Sequence, residues 1–402
     1  MSLTCEPPVK KIKVDASFFK PLSDKVASQL DWSKRNTLLV GKSKTLGDLS
    51  NCKVSVAAFD LDGTLIKPKT GKRYPSDQYD WQFCSPSVAA KVRSAHERGY
   101  TVVILSNQGG ISLKRGNAKR MEQWKEKLSN VINAIGIPIM IYAATEIDRF
   151  RKPRAGMWTE VLNDLGAQSI DIAESFFVGD AAGRAGDHAC SDRKLAANLG
   201  LKFMTPQEYF LNQDPLPYSW GPFDPSLHLG KSANFEQVFE KINEKDILLC
   251  VGSPCSGKST FCRRIAEPLR YVRINQDTLK SRERCLQVAD KHLHKGDSVI
   301  VDNTNPDKAV RREWISLARQ HKVQIRCLHF NASSELARHN NAVRAFSGTS
   351  TEHRELLPGV AFTSFAGRFQ TPVVEEGFQD LTTIQFKCDL EQSTVWSRWW
   401  AE

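Results

Sequence analysis

The sequence predicts an α/β protein made of two three-layer α/β/α domains in tandem, each a mainly parallel sheet with helices on both faces. Three observations predict this. Short apolar, β-branched runs recur between helix-length stretches, and continuous apolar runs of that kind mark strands buried on both faces. Four of them end abruptly in acidic, hydroxyl-bearing or glycine-rich segments, which is where open α/β sheets hold ligands. One opens onto a glycine-rich loop that leads straight into a helix. With 402 residues and 41% hydrophobic content, the chain has enough material for two such cores.

Taken in order, residues 1–26 form a basic tail. Its Pro7-Pro-Val-Lys-Lys-Ile-Lys-Val14 is similar to a nuclear import signal, so a nuclear location is expected. The first domain is assigned to residues 27–212. Val54–Phe59 reads as a buried strand whose tip carries Asp60-Leu-Asp62-Gly-Thr64. A helix is predicted over Ser87–Arg98. A second strand, Tyr100–Leu105, ends in Ser106-Asn-Gln-Gly-Gly110, which offers a hydroxyl, an amide and free backbone donors to a phosphoryl oxygen. A helix around Ala118–Ala134 and a strand at Ile137–Ala143 lead to Arg151-Lys152-Pro-Arg154. A further strand, Ser175–Val178, ends in Gly179-Asp180-Ala-Ala-Gly183-Arg184. These elements fill the intervals between the tips and leave no room for a large cap. An uncapped site admits the end of a polymer.

Residues 213–235 read as the connection, because Pro215, Pro217, Pro222 and Pro225 break any helix or strand there. Tyr218, Trp220 and Phe223 suggest that it packs against a domain. The second domain, residues 236–402, opens with a buried strand, Asp246–Val251. Gly252-Ser253-Pro-Cys-Ser-Gly257-Lys258-Ser259-Thr260 follows, with a helix from Lys258 to about Ala266. This is the context a phosphate-binding P-loop requires: backbone N–H groups cradle the phosphates of ATP, Lys258 reaches the β/γ oxygens and Ser259 ligates Mg²⁺. Beyond it, Arg273-Ile-Asn-Gln-Asp277 ends the next strand and supplies Asp277 as a base for an acceptor hydroxyl. Ser298–Val301 runs into Asp302-Asn-Thr-Asn-Pro306, with Asp302 close to Mg²⁺ or the acceptor. Ala337-Arg338-His339-Asn-Asn341 through Arg344 has the arginines of a helical lid over a triphosphate. His339 is read as a surface residue, and Trp396, Trp399 and Trp400 as tail packing.

The formal charge of +11 suits a polyanionic partner. Basic residues gather after the first domain's strand tips: Lys67, Lys69, Lys72 and Arg73; Lys114, Arg115, Lys119 and Arg120; Arg149, Arg151 and Arg154; and Arg184. Singly each group reads as a solvated surface, but together they read as a phosphate-tracking groove. Ten cysteines with no CxxC pair give no disulfide or structural zinc framework. The longest nearly apolar stretch, Ala134–Ala144, is too short to span a bilayer.

The acid pair, serine, lysine and final acid at successive tips resemble the haloacid-dehalogenase phosphatase superfamily. That resemblance implies a Rossmannoid fold, Asp60 as nucleophile, Asp62 as general acid and then base, and Ser106 and Lys152 as stabilisers of the moving phosphoryl group. It also implies Mg²⁺ held by Asp60, Asp62 and Asp180; the acid that often follows the last motif is Asp187 or Asp192, with Asp192, in Ser191-Asp192-Arg193, preferred. With a P-loop kinase domain behind it, the whole is similar to the polynucleotide kinase 3′-phosphatase family of bifunctional DNA end-repair enzymes. The family implies hydrolysis of 3′-phosphates, ATP-dependent phosphorylation of 5′-hydroxyls, DNA ends as partners, hand-off to ligase or scaffold repair proteins, and a monomer. The stretch before the first domain is too short for the forkhead-associated domain that vertebrate members carry. Two other readings share some motifs. A small-molecule phosphatase fused to a metabolite kinase would show a cap and fewer basic residues; a non-catalytic end-binding protein would lack one of Asp60, Asp62, Lys258 or Asp277.

Overall fold

Alternating buried strands and amphipathic helices build two large sheets, with a small two-stranded ribbon besides, in this computed structural model. It describes residues 30–46, 53–112, 117–166, 170–229, 239–348, 355–386, 388 and 393–401. The basic segment at residues 7–14, Lys114 and Arg115 lie outside the described residues. Two compact units emerge. One comprises residues up to Ala182 together with Ser191–Pro217, and the other Gly183–Cys190 with the chain from Tyr218 onward.

In chain order the first unit contains β1 (Leu30–Arg35), β2 (Leu38–Ser43), β3 (Ser55–Phe59), β4 (Ile66–Lys67), β5 (Gln82–Phe83), α1 (Val88–Glu97), β6 (Tyr100–Asn107), α2 (Ala118–Ile135), β7 (Met140–Ala144), α3 (Gly156–Leu165), β8 (Phe176–Val178), α4 (Ser191–Leu199), β9 (Lys202–Met204) and α5 (Pro206–Leu211). Its seven-stranded sheet has the order β1-β2-β7-β6-β3-β8-β9. The β7-β6-β3-β8-β9 part is parallel, while β1 and β2 form an antiparallel edge. β3 lies between β6 and β8, at the point where strand order reverses and ligands of such sheets bind.

Alternate residues of β3 feed opposite faces: Ala57 and Phe59 join the core under α1 and α2, while Val56 and Ala58 join the one under α3 and α4. The stripe Met121, Trp124, Leu128, Val131, Ile132 and Ile135 fixes how α2 docks, and Gly136 at φ +80° ends that helix. The strand predicted to start at Ile137 begins at Met140, because Pro138 has no N–H to give a ladder. The edge hairpin of β1 and β2 was not foreseen. It turns at Asn36, which sits at φ +56°, a conformation asparagine tolerates.

The second unit contains β10 (Asp246–Gly252), α6 (Lys258–Phe261, extended to Ala266 by a π turn), β11 (Tyr271–Ile274), α7 (Gln276–Leu279), α8 (Arg282–His294), β12 (Ser298–Val301), α9 (Lys308–Gln320), β13 (Gln324–Phe330), α10 (Ser334–Phe346), α11 (Gly359–Arg368), β14 (Leu381–Ile384) and α12 (Ser393–Trp396). Its five strands are all parallel, in the order β11-β12-β10-β13-β14. β10, buried along its whole length, is central and leads into the glycine-rich loop. Trp314 on α9 is fully buried in the core shared with α8, and truncating it to Ala would cost about 3–5 kcal/mol.

Candidate active sites

The tips of β3, β6 and β8 bring together most of the acid, serine and lysine set of the first domain. Asp60 follows β3, and its backbone N–H donates to the Val178 carbonyl at 2.9 Å, which locks the β3 tip to the β8 tip. Lys152 is 2% exposed. Its Nζ lies 2.5 Å from Asp60 Oδ1, 2.8 Å from Asp192 Oδ1 and 2.9 Å from the Leu105 carbonyl. The Lys152 backbone is pinned by Asn107, whose Oδ1 accepts from its N–H at 2.9 Å. Donor oxygens of Asp60, Asp180 and Asp192 all fall within 4.8 Å of one another.

Two glycines make this crowding possible. A Cβ at Gly63, which sits at φ +88°, would stand 2.3 Å from Asp180 Oδ2. One at Gly179 would stand 2.4 Å from Asp192 Oδ2.

Three carboxylates around one ammonium leave excess negative charge in a buried place. Burial pushes the Asp60 carboxyl well above the usual carboxylate range; Lys152 pulls it down, while Asp192 and Asp180 push it up further. Burial also works against the Lys152 ammonium, but Asp192 and Asp60 outweigh it and raise its pKa, keeping it charged. Converging, mutually repelling oxygens of this kind fit a hard divalent cation.

Asp62, counted among the metal ligands from the sequence, is not one of the three. Its carboxylate is half exposed, accepting from Gln108 Nε2 at 2.6 Å and lying 3.5 Å from Lys127 Nζ. Gln108 also donates to Ser106 Oγ at 2.9 Å and so links the serine to the second acid. Lys127 was missed. Its signal was a lysine at a core position of α2, between Trp124 and Leu128, where it is 5% exposed.

The choice left open between Asp187 and Asp192 has a clear geometry: Asp192 joins the cluster, while Asp187 takes the Arg184 guanidinium at 2.9 and 3.0 Å. Arg184, expected on the phosphate-tracking surface, thus has its charge met locally. Arg154 is buried, and its guanidinium donates to the Asp148 carbonyl at 2.9 Å, inside its own loop. Lys67, Lys69, Lys72, Arg73, Lys119, Arg120 and Arg149 are exposed, and Arg151 half-buried. They lie on segments that leave the carboxyl ends of parallel strands, and Arg151 Nη1 stands 3.8 Å from where a Gly109 Cβ would be. Among the described residues, only the β4–β5 ribbon and its loop, held by Asp80, intervene between Asp62 and α1.

In the second unit the loop from Gly252 to Gly257 wraps the Lys258 ammonium, which is 2.6 Å from the Ser253 carbonyl, 3.0 Å from that of Gly252 and 3.3 Å from Ser256 Oγ. Burial lowers its pKa, which makes an incoming anion welcome. Gly257, at φ +100°, turns the chain into α6, with Ser259 and Thr260 in its first turn. Asp302 at the β12 tip is 3% exposed and held by Arg273 at 2.5 Å; Asn275 Nδ2 donates to its backbone carbonyl at 2.7 Å. Asp277 is exposed in the first turn of α7. On α10, Arg338 lies over the Phe362 ring at 5.2 Å. Arg344 donates to Asn341 Oδ1 at 3.2 Å, and its Nε is buried with no hydrogen-bond partner among the described residues.

His339, expected on the surface, is buried. Its Nε2 lies 2.8 Å from the Trp396 carbonyl and its ring packs on Phe223 and Trp396. The reason is α10's inner stripe, where Leu336, His339 and Val343 pack with the C-terminal tryptophans. Trp396 and Trp400 are buried, and Trp399 stacks on Trp220 at 5.1 Å, so these residues are packing elements.

The family described as polynucleotide kinase 3 phosphatase matches residues 55–210, and an AAA domain matches residues 247–372. A bifunctional polynucleotide phosphatase/kinase of Schizosaccharomyces pombe is 39% identical over 373 residues, covering 92% of this chain and 88% of that protein. A putative bifunctional polynucleotide phosphatase/kinase of Acanthamoeba polyphaga mimivirus is 31% identical, covering 91% and 92% of the respective chains. A polynucleotide 3′-phosphatase of Arabidopsis thaliana is 37% identical over 40% of this chain and 25% of that protein.

Proposed function

The chain belongs to the bifunctional polynucleotide phosphatase/kinase family and is an enzyme with a phosphatase and a kinase domain; from this we propose that it works on the two termini of broken DNA. The first unit removes 3′-phosphates and the second phosphorylates 5′-hydroxyls with ATP. The observation that carries the first half is the convergence of Asp60, Asp180 and Asp192 at the strand tips, with Lys152 bridging Asp60 and Asp192 and, among the described residues, only the β4–β5 ribbon and its loop between Asp62 and α1.

In this reading Asp60 attacks the 3′-phosphate: a bond forms from its free carboxylate oxygen to phosphorus, and the bond to the 3′-oxygen breaks. Asp62 gives its proton to that oxygen. It then takes a proton from the water that attacks phosphorus and frees Asp60. Ser106 Oγ and Lys152 Nζ bind the moving phosphoryl oxygens, and Gln108 holds the serine and Asp62 in register. Asp60, Asp180 and Asp192 would hold Mg²⁺, which supplies charge neutralisation between carboxylate and phosphate.

In the second unit Lys258 exchanges its loop carbonyls for the β/γ oxygens of ATP. Ser259 and Asp302 serve the Mg²⁺ of the nucleotide, Gly252, Ser253, Gly257 and Thr260 line its phosphates, and Arg338 and Arg344 close over them. Asp277, exposed and two residues beyond Asn275, whose side chain donates to the Asp302 carbonyl, takes the proton of the 5′-hydroxyl. Exposed Lys119 and half-buried Arg151 guide the strand. A nuclear location, monomeric action and hand-off to a ligase are part of this proposed reading. Incubation with a nicked duplex bearing 3′-phosphate and 5′-hydroxyl, with Mg²⁺ and ATP, tests the reading: both ends should become ligatable. Hydrolysis of mononucleotide 3′-phosphates as fast as of oligonucleotide ends would contradict it.

A further inference from the structure

We propose that Asp290, His294 and His321 form a site for a borderline divalent transition-metal ion, Zn²⁺ foremost, which staples the ends of α8 and α9. Each residue offers one donor atom, and the three atoms lie within 4.8 Å of one another. Asp290 and His294 stand one turn apart on one face of α8, and His321 caps the C-terminus of α9. His321 Nε2 is 2.8 Å from Asp290 Oδ1, and His294 Nδ1 is 3.5 Å from Asp290 Oδ2. Tetrahedral coordination with ligands at about 2.0–2.1 Å puts donors about 3.3 Å apart. Each imidazole already stands near one of the two Asp290 oxygens, and the three donor atoms lie within 4.8 Å of one another, so small side-chain movements bring them to that spacing. The imidazole rings meet edge to face with centroids 4.4 Å apart. His294 Nδ1 also lies 3.0 Å from the Asp290 carbonyl, a contact that metal binding replaces.

The donor set selects the ion. Two imidazole nitrogens and a carboxylate suit Zn²⁺ and its neighbours, whereas Mg²⁺ and Ca²⁺ prefer oxygen alone. The backbone favours a cation there as well, because α8 and α9 both point their carbonyl ends at this spot. The support is rigid: Ala289 and Leu293, each adjacent in sequence to a ligand, are fully buried, as are Trp314 and Ala318 on α9. His321 is 7% exposed, Asp290 35% and His294 66%, so the site is open on one side for water to complete the coordination.

Its position rules it out of phosphoryl transfer. His294 precedes β12 and His321 precedes β13, at the amino ends of the parallel strands, whereas the P-loop and Asp302 follow the carboxyl ends. The ion is a staple between two helices that carry half of this core, and it is separate from the Mg²⁺ of the nucleotide.

The test uses the full chain with millimolar Mg²⁺ and a phosphine reductant, titrated with Co²⁺ and then Zn²⁺. One Co²⁺ per chain should bind with the visible absorption of a four- or five-coordinate nitrogen–oxygen site, be displaced by one Zn²⁺, and raise the unfolding temperature. His294→Ala, at a mostly exposed position, should fold normally and weaken Co²⁺ binding at least tenfold; His294→Ala with His321→Ala should abolish it. No visible bands, bands that survive the double substitution, or a near-ultraviolet thiolate-to-cobalt band would overturn the proposal, the last by assigning the ion to cysteines.

Discussion

The Lys152 ammonium touches the Asp60 carboxylate at 2.5 Å although 92 residues separate them in the chain. The same ammonium reaches Asp192 and the Leu105 carbonyl, so one buried cation ties the tips of β3 and β6 to the start of α4. Removing it leaves the buried Asp60 and Asp192 carboxylates without the ammonium between them. Lys152→Met should therefore lose 3′-phosphatase activity and destabilise the first unit by about 3–5 kcal/mol. Mg²⁺ should restore part of that loss. Thermal unfolding with and without Mg²⁺ checks this, and an unchanged unfolding temperature would show that the cluster is not held by charge.

Asp192 and Asp187 should behave differently on substitution. Asp192→Asn weakens a cluster that Gly179 is shaped to admit, and should reduce 3′-phosphatase turnover by at least a hundredfold, with a raised requirement for Mg²⁺. Asp187→Asn only releases Arg184 and should change turnover less than threefold. Phosphatase rates across a Mg²⁺ titration separate them. A larger effect at Asp187 would reverse the assignment.

Much of this was legible because strand tips carry the chemistry. The apolar run Val54–Phe59 can only be a buried strand, so Asp60 had to emerge at its end, and the same logic placed Ser106, Asp180, the P-loop and Asp302. What the residues alone left open depends on tertiary contacts. Both Asp187 and Asp192 qualify in the string, which favours Asp192 without deciding it, and the close pass of Gly179 is what puts Asp192 in the cluster. His339 lies on a polar-looking helix whose partner, Trp396, comes 57 residues later. Lys127 reads as an ordinary helix cation until its neighbours Trp124 and Leu128 are seen to face the core. The Asp290–His294–His321 group escaped notice because its third member comes from the next helix.

Acid should loosen the loop between β4 and β5. Asp80 accepts hydrogen bonds from the Ser76 and Thr70 N–H groups and both hydroxyls, which hold its pKa far below the usual value. A depressed folded-state pKa gives stability that is fully present above the unfolded value near 3.9 and is lost as pH falls below it. Asp80→Asn imitates the acid form at neutral pH. It should speed tryptic cleavage at exposed Lys72 and Arg73 severalfold with little change in global unfolding temperature. Unchanged cleavage would show that other contacts hold the loop.

Salt distinguishes a polymer end from a small metabolite. With about four to six phosphates of a single strand neutralised, the log–log slope of affinity against salt should be about −3 to −4. Lys119→Ala with Arg151→Ala should flatten it by about 1 to 1.5. A slope near zero in the parent protein would favour a metabolite phosphatase.

The central claim is that two independent phosphate chemistries share one chain, and separation of function tests it most directly. On a nicked duplex with 3′-phosphate and 5′-hydroxyl, Asp60→Asn should abolish 3′-phosphate removal and leave 5′-phosphorylation within about twofold of the parent. Lys258→Ala should do the opposite, since transition-state interactions lost at one site leave the other site's rate constants untouched. Loss of both activities in either folded variant, or retention of the targeted activity, would contradict the account.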